Sequence, residues 1–84
     1  MSLQDAIRTR LVNLMELYKV NGNKLALRGG FTRSCINKFI RKETKILELQ
    51  TIALICEALN IKLVDFFNDS LFDNVEIDDI EIKH

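Results

Sequence analysis

Gly22-Asn23-Lys24-Leu25-Ala26-Leu27-Arg28-Gly29-Gly30-Phe31-Thr32-Arg33-Ser34-Cys35-Ile36-Asn37-Lys38-Phe39-Ile40-Arg41 holds the pattern that decides how this chain folds. Lys24 to Arg28 reads as a short helix stopped by Gly29-Gly30, and Thr32 as the N-cap of a second helix running to about Arg41. Gly30 follows Ala26 by four residues, Ile36 follows Gly30 by six, and Phe39 by nine. Two helices that cross near a right angle through a short turn need residues of these types. Ala26 must be small because the next helix crosses close to it. Gly30 supplies a positive backbone dihedral that a side chain would resist. Leu25, Ile36 and Phe39 fill the angle between the two helices. Ile36, Phe39 and Ile40 form the buried stripe of the second one, which leaves Arg33, Ser34, Asn37, Lys38 and Arg41 on the opposite face.

Outward from this centre, Leu3, Ile7, Leu11, Leu14, Met15 and Tyr18 recur at steps of three and four, predicting an amphipathic helix from Leu3 to Tyr18 capped by Ser2 or Asp5. Asn21 and Gly22 mark the turn after it. Downstream, Lys42 to Lys45 reads as a polar loop. Leu49, Ile52, Ala53, Cys56 and Leu59 predict one face of a fourth helix, with Asn60 suited to a left-handed helix end. Leu63-Val64-Asp65-Phe66-Phe67 reads as a short fifth helix whose two phenylalanines cannot both face the core easily. The fold class expected is all-α. In the segment 75–82, apolar and acidic residues nearly alternate, as in a strand with one wet face, slipped once at Asp78-Asp79. An acidic disordered segment is the alternative. The expected organisation is therefore a helical domain over 1–69 and an acidic, apolar tail over 70–84.

Eighty-four residues with 48% hydrophobic content suffice for one thin-cored domain. No apolar run reaches the roughly 20 residues that cross a bilayer, so no membrane role is expected. Cys35 and Cys56 lack metal-ligand spacing, and the single histidine is His84. They read as small apolar residues of a reducing compartment, and no metal or cofactor is expected. The formal net charge is zero, but its halves oppose each other. Residues 1–45 carry ten cations against three anions, or +7, and residues 46–84 carry two cations against nine anions, or −7. No acid lies between Glu16 and Glu43. Such a chain suits one face for a polyanion and another that avoids it.

The spacing around Ala26 and Gly30 resembles the helix-turn-helix of the lambda-repressor-like (Xre or Cro-type) transcriptional regulators, from about Ile7 to Phe67. Leu49-Gln50-Thr51-Ile52-Ala53, Ala58-Leu59-Asn60-Ile61 and Leu63-Val64-Asp65-Phe66-Phe67 are similar to the ending of that family's domain. The resemblance implies a five-helix lambda-repressor-like fold that binds double-stranded DNA, with residues 32–41 as a recognition helix in the major groove. It makes Arg33, Ser34, Asn37 and Lys38 the base-reading residues, with Arg33 suited to guanine and Asn37 to adenine. Asn23, Lys24, Thr32, Arg41, Lys42 and Lys45 become the phosphate contacts, the first two through a helix N-terminus. It also implies a cytoplasmic, bacterial or phage-encoded protein acting at the nucleoid. A homodimer is expected, since one such domain reads few base pairs; its interface would be Leu63–Phe67 or the tail.

Several positions depart from the family. Gly22 stands where a phosphate-gripping glutamine is common. Gly29 replaces a core apolar residue, which should loosen the turn. Ile40 stands where glutamate is frequent, and Lys42-Glu43 replaces a usual glycine. The following loop is one or two residues longer and lacks its usual proline. Enzymatic activity fits poorly, because the chain has no usable histidine, no glycine-rich phosphate loop and no carboxylate pair in a basic setting. The serious rival is a protein-interaction module of the same fold, an antitoxin or anti-repressor acting through a protein partner bound by the tail.

Overall fold

Four backbone N–H groups are left over at the start of any helix, and the way this chain satisfies them shapes the whole domain. The structure, a computed structural model, describes residues 1–78. Its first helix, α1, spans Leu3–Tyr18, as the sequence predicts. Ser2 caps it: the Ser2 hydroxyl accepts from the Asp5 N–H at 3.2 Å, and its carbonyl accepts from the Ala6 N–H at 2.9 Å. The other two donors reach to the far end of the chain. The Leu3 N–H donates to the Glu76 carbonyl at 2.8 Å, and the Gln4 N–H to Asp78 Oδ2 at 2.9 Å. A carboxylate there also opposes the positive end of the helix dipole.

The acidic segment therefore finds a partner within its own chain. Ser2 and Glu76 form one isolated parallel bridge, closed by the Glu76 N–H donating to the Met1 carbonyl at 3.1 Å. One bridge is formed in place of a strand among the described residues; the rest of the stretch expected to run to Ile82 lies outside them.

The remaining helices are α2 (Gly22–Gly29), α3 (Arg33–Ile40), α4 (Leu49–Leu59) and α5 (Leu63–Phe67), followed by a 3-10 turn at Ser70–Phe72. Helix α2 starts two residues earlier than its apolar pattern suggested, because Asn21 acts as its cap and accepts from the Lys24 N–H at 2.9 Å. Gly30 ends it at φ +74°. There the Gly30 and Phe31 N–H groups both donate to the Ala26 carbonyl. Lys19 and Asn60 end α1 and α4 in the left-handed region, Asn60 as expected.

The core is one cluster drawn from all five helices. Leu11, Leu25, Ile36, Phe39, Ile55 and Phe66 are fully buried at its centre. Helix α4 buries Ile52, Cys56 and Leu59 as expected, but adds fully buried Ile55 and leaves Leu49, 59% exposed, and Ala53 outside the core. Leu49 and Ala53 fitted the period as well as Ile55 did, and tertiary packing buried Ile55 instead. Tyr18 likewise stands 44% exposed, because α1 outruns the core by its last turn. The pair Phe66 and Phe67 is resolved by a third ring. Phe66 points inward, and Phe67 is half-buried between it and Phe72, with ring centroids at 5.0 and 5.1 Å. The bare position at Gly29 is covered too, since a Cβ there would collide with the Phe31 ring. Phe31 supplies the apolar bulk that the resemblance places two residues earlier, so the expected loosening is offset.

Candidate nucleic-acid interface

Helix α3 presents two chemically opposite faces because Ile36 and Phe39 are fully buried. With 100° per residue, that anchoring turns Arg33, Ser34 and Lys38 outward, and all three are exposed. Asn37 is half-buried. Ile40, where the family often has glutamate, is half-buried and lines a shallow apolar groove with Val12, Met15, Glu16 and Val20.

Two side chains of α1, Arg8 and Gln4, hold this arrangement in place. Arg8 Nε donates to the Phe39 carbonyl at 2.7 Å, and the guanidinium lies 4.5 Å from the Phe39 ring centroid. A second donor of Arg8 meets Asp5 Oδ1 at 2.5 Å. Arg8 thus satisfies a carbonyl at the C-terminal end of α3, where a positive charge is also favourable. Gln4, itself buried, accepts from the Leu47 N–H at 3.1 Å and ties down the loop after α3. Arg10 plays the matching role for α5 through the carbonyls of Phe66 and Asp65, both at 2.8 Å. Neither arginine is free to meet a polyanion. The sequence carries a signal for this: Arg10 lies three residues from Ile7 and four from Leu14, on the edge of the buried stripe.

The other eight cations of residues 1–45 are exposed. Asn23 and Lys24, in the first turn of α2, are among the exposed residues, as are Thr32, Arg41, Lys42 and Lys45. Among the described residues, the Gly22 and Asn23 N–H groups have no acceptor in the chain. An N-terminal turn with free donors suits an anionic oxygen. Thr32 precedes α3 without a side-chain cap bond, its hydroxyl 3.4 Å from that of Ser34. Both residues are exposed, and the contact between their hydroxyls is a long one. Arg41 pairs with Glu43 at 3.0 Å, both well exposed, so the pair is easily exchanged for another anion.

The loop after α3 explains where the family's glycine went. Lys42 carries φ +64°, and the Glu43 N–H returns to the Lys38 carbonyl at 2.8 Å. A lysine in the left-handed region costs about 1–2 kcal/mol that glycine would not. The same residue places a cation beside the exposed end of α3.

Both cysteines are free thiols; Cys56 is buried, and burial together with the nearby Asp65 raises its pKa, so it stays a neutral apolar filler. Among the described residues, no group of three metal-binding side chains converges, and no helix is long and apolar enough to cross a membrane.

No curated protein and no solved structure matches the chain. The family model of the Cro/C1-type HTH DNA-binding domain, however, matches residues 10–70, most of the chain and all of α2 to α5. With the paired helices α2 and α3, the glycine turn and the cationic outer face already described, the chain belongs to the Cro/C1-type helix-turn-helix DNA-binding domains.

Proposed function

We propose that this domain is a sequence-specific transcriptional regulator without catalytic activity, and that it reads double-stranded DNA by laying α3 in the major groove. The observation that carries the reading is the outer face of α3. Arg33, Ser34 and Lys38 are exposed, half-buried Asn37 stands beside them, and exposed Lys24, Arg41, Lys42 and Lys45 flank them. From Arg33 to Lys38 the helix advances about 7.5 Å, enough to follow roughly two base-pair steps. Arg33 and Asn37 offer bidentate hydrogen bonding to guanine and adenine; Ser34 and Lys38 add shorter and longer contacts. Asn23, Lys24, Thr32, Arg41, Lys42 and Lys45 hold the register through phosphates.

The working unit proposed is a homodimer. One molecule measures 34 × 26 × 21 Å, so two side by side bring their α3 helices about one helical turn of DNA apart. Val64 and Leu49, 67% and 59% exposed, with Leu63 beside Val64, are the apolar residues on α4 and α5 suited to the pairing.

Selection of bound duplexes from a random pool tests the function. The expected outcome is a palindrome whose half-sites are centred about 34–36 Å apart. The affinity for the selected site should fall with salt at a log–log slope of about −3.6, from the phosphate contacts of Lys24, Arg41, Lys42 and Lys45. A pool that stays random, together with a slope near zero, would point to the rival in which the same fold serves a protein partner.

A further inference from the structure

A glycine in the first turn of a helix calls for a reason, and Gly22 has only one. Its φ lies outside the left-handed region, unlike that of Gly30, so the backbone does not require it. Glycine also favours a helix less than alanine does. What sets Gly22 apart is space. It is buried against α3, and a Cβ built on it would lie 2.9 Å from Asn37 Oδ1 and 3.9 Å from Arg33 Cγ. Arg33 and Asn37 are one helical turn apart on the same face. The amide of one and the aliphatic stem of the other therefore rest on the same bare patch of α2 backbone. This accounts for the half-burial of Asn37 beside exposed Arg33, Ser34 and Lys38.

We infer that Gly22 is a specificity-determining position. By leaving the patch bare it seats the Asn37 amide against α2, and the seated amide fixes the direction in which Arg33 leaves the helix. On this account Asn37 acts on DNA partly as a positioning residue, through Arg33. The inference rests on the DNA-reading function proposed above and adds to it the residue that tunes the readout from outside α3.

The contact chosen makes the test clean. The atom that a Gly22 Cβ would strike is the end of a flexible side chain, so Gly22→Ala leaves the fold intact and moves only the amide. The melting temperature should stay at or slightly above that of wild type, because alanine is the better helix former. The discrimination at the base pair read by Arg33 should drop about tenfold, within the range a bidentate contact controls. Binding to random duplex should change far less than base preference, since the substitution keeps the Gly22 N–H and touches no phosphate-binding cation. In an Asn37→Ala background the same Gly22→Ala change should alter base preference by less than about twofold, because nothing is left for the new methyl group to displace.

The measurement is competition binding of the four chains to the selected duplex and to its single-base variants. Strong non-additivity between the two substitutions, confined to base preference, is the expected result. Gly22→Ala retaining full wild-type discrimination, or losing it equally with and without the Asn37 amide, would overturn the inference while leaving the DNA-reading function standing. A wild-type chain with no base preference would overturn that function, and this inference with it.

Discussion

Replacing Arg10 with alanine should lower the stability of the domain by about 3 kcal/mol in urea unfolding, within a range of about 2–4 kcal/mol. Its side chain is 16% exposed and makes three bonds, to the carbonyls of Phe66 and Asp65 and, at 3.1 Å, to Asp69 Oδ2. Hydrogen bonds to a charged group contribute about 1.5–3 kcal/mol each but do not add fully. The contact with Asp69, itself 28% exposed, counts for less because water screens it. Alanine would also leave two carbonyls at the end of α5 without their partner, in a helix of only five residues. A domain of this length has about 4–12 kcal/mol in total, so the loss takes a large share. Arg10→Met keeps the aliphatic stem and separates packing from hydrogen bonding; it should recover less than half of the loss. A change below about 0.5 kcal/mol for the alanine variant would mean that α5 is held by its phenylalanines alone.

The second large effect falls on recognition. Arg33→Ala should weaken binding to the selected site by about 1–3 kcal/mol and remove the preference at one base pair. The residue is exposed on the first turn of α3 and has no ion pair among the described residues, so its loss costs the fold little. Affinity for random duplex should fall much less. If cognate and random duplexes weaken equally, Arg33 is a phosphate contact and base reading belongs to its neighbours. Arg33 and Arg10 thus separate cleanly: one substitution should act on binding with the fold intact, the other on the fold.

Much of this architecture was legible in the residues because local and tertiary demands agree. The period from Leu3 to Leu14, the cap at Ser2, the positive φ at Gly30 and the left-handed Asn60 each follow from one residue's own chemistry. The family's spacing from Ala26 to Phe39 then located α2 and α3. What stayed hidden depends on groups distant in the chain. Asn21 looked like a turn residue because its capping role depends on the backbone three residues on. Leu49 and Ala53 fitted the helical period of α4 but lost to Ile55 once α2 packed against that helix. The charge division suggested ten cations for a polyanion, yet Arg8 and Arg10 serve carbonyls 31 and 56 residues away. The covering of Gly29 by Phe31, and of Phe67 by Phe72, replaces one residue's bulk with another's, which no periodic pattern records. Within the interface, the exposed cations could be read directly. The role of Gly22 could not, because it lies in what the residue lacks.

The orientation of α3 carries the whole account, and amide chemical-shift mapping of the labelled domain titrated with its selected duplex tests it most directly. The shifts should concentrate at Gly22 to Lys24, Thr32 to Lys38 and Arg41 to Lys45, and leave α5 and the Ser2–Glu76 bridge nearly unmoved. Shifts gathered on Leu63 to Phe67 and the acidic segment, with Arg33 to Lys38 silent, would contradict it.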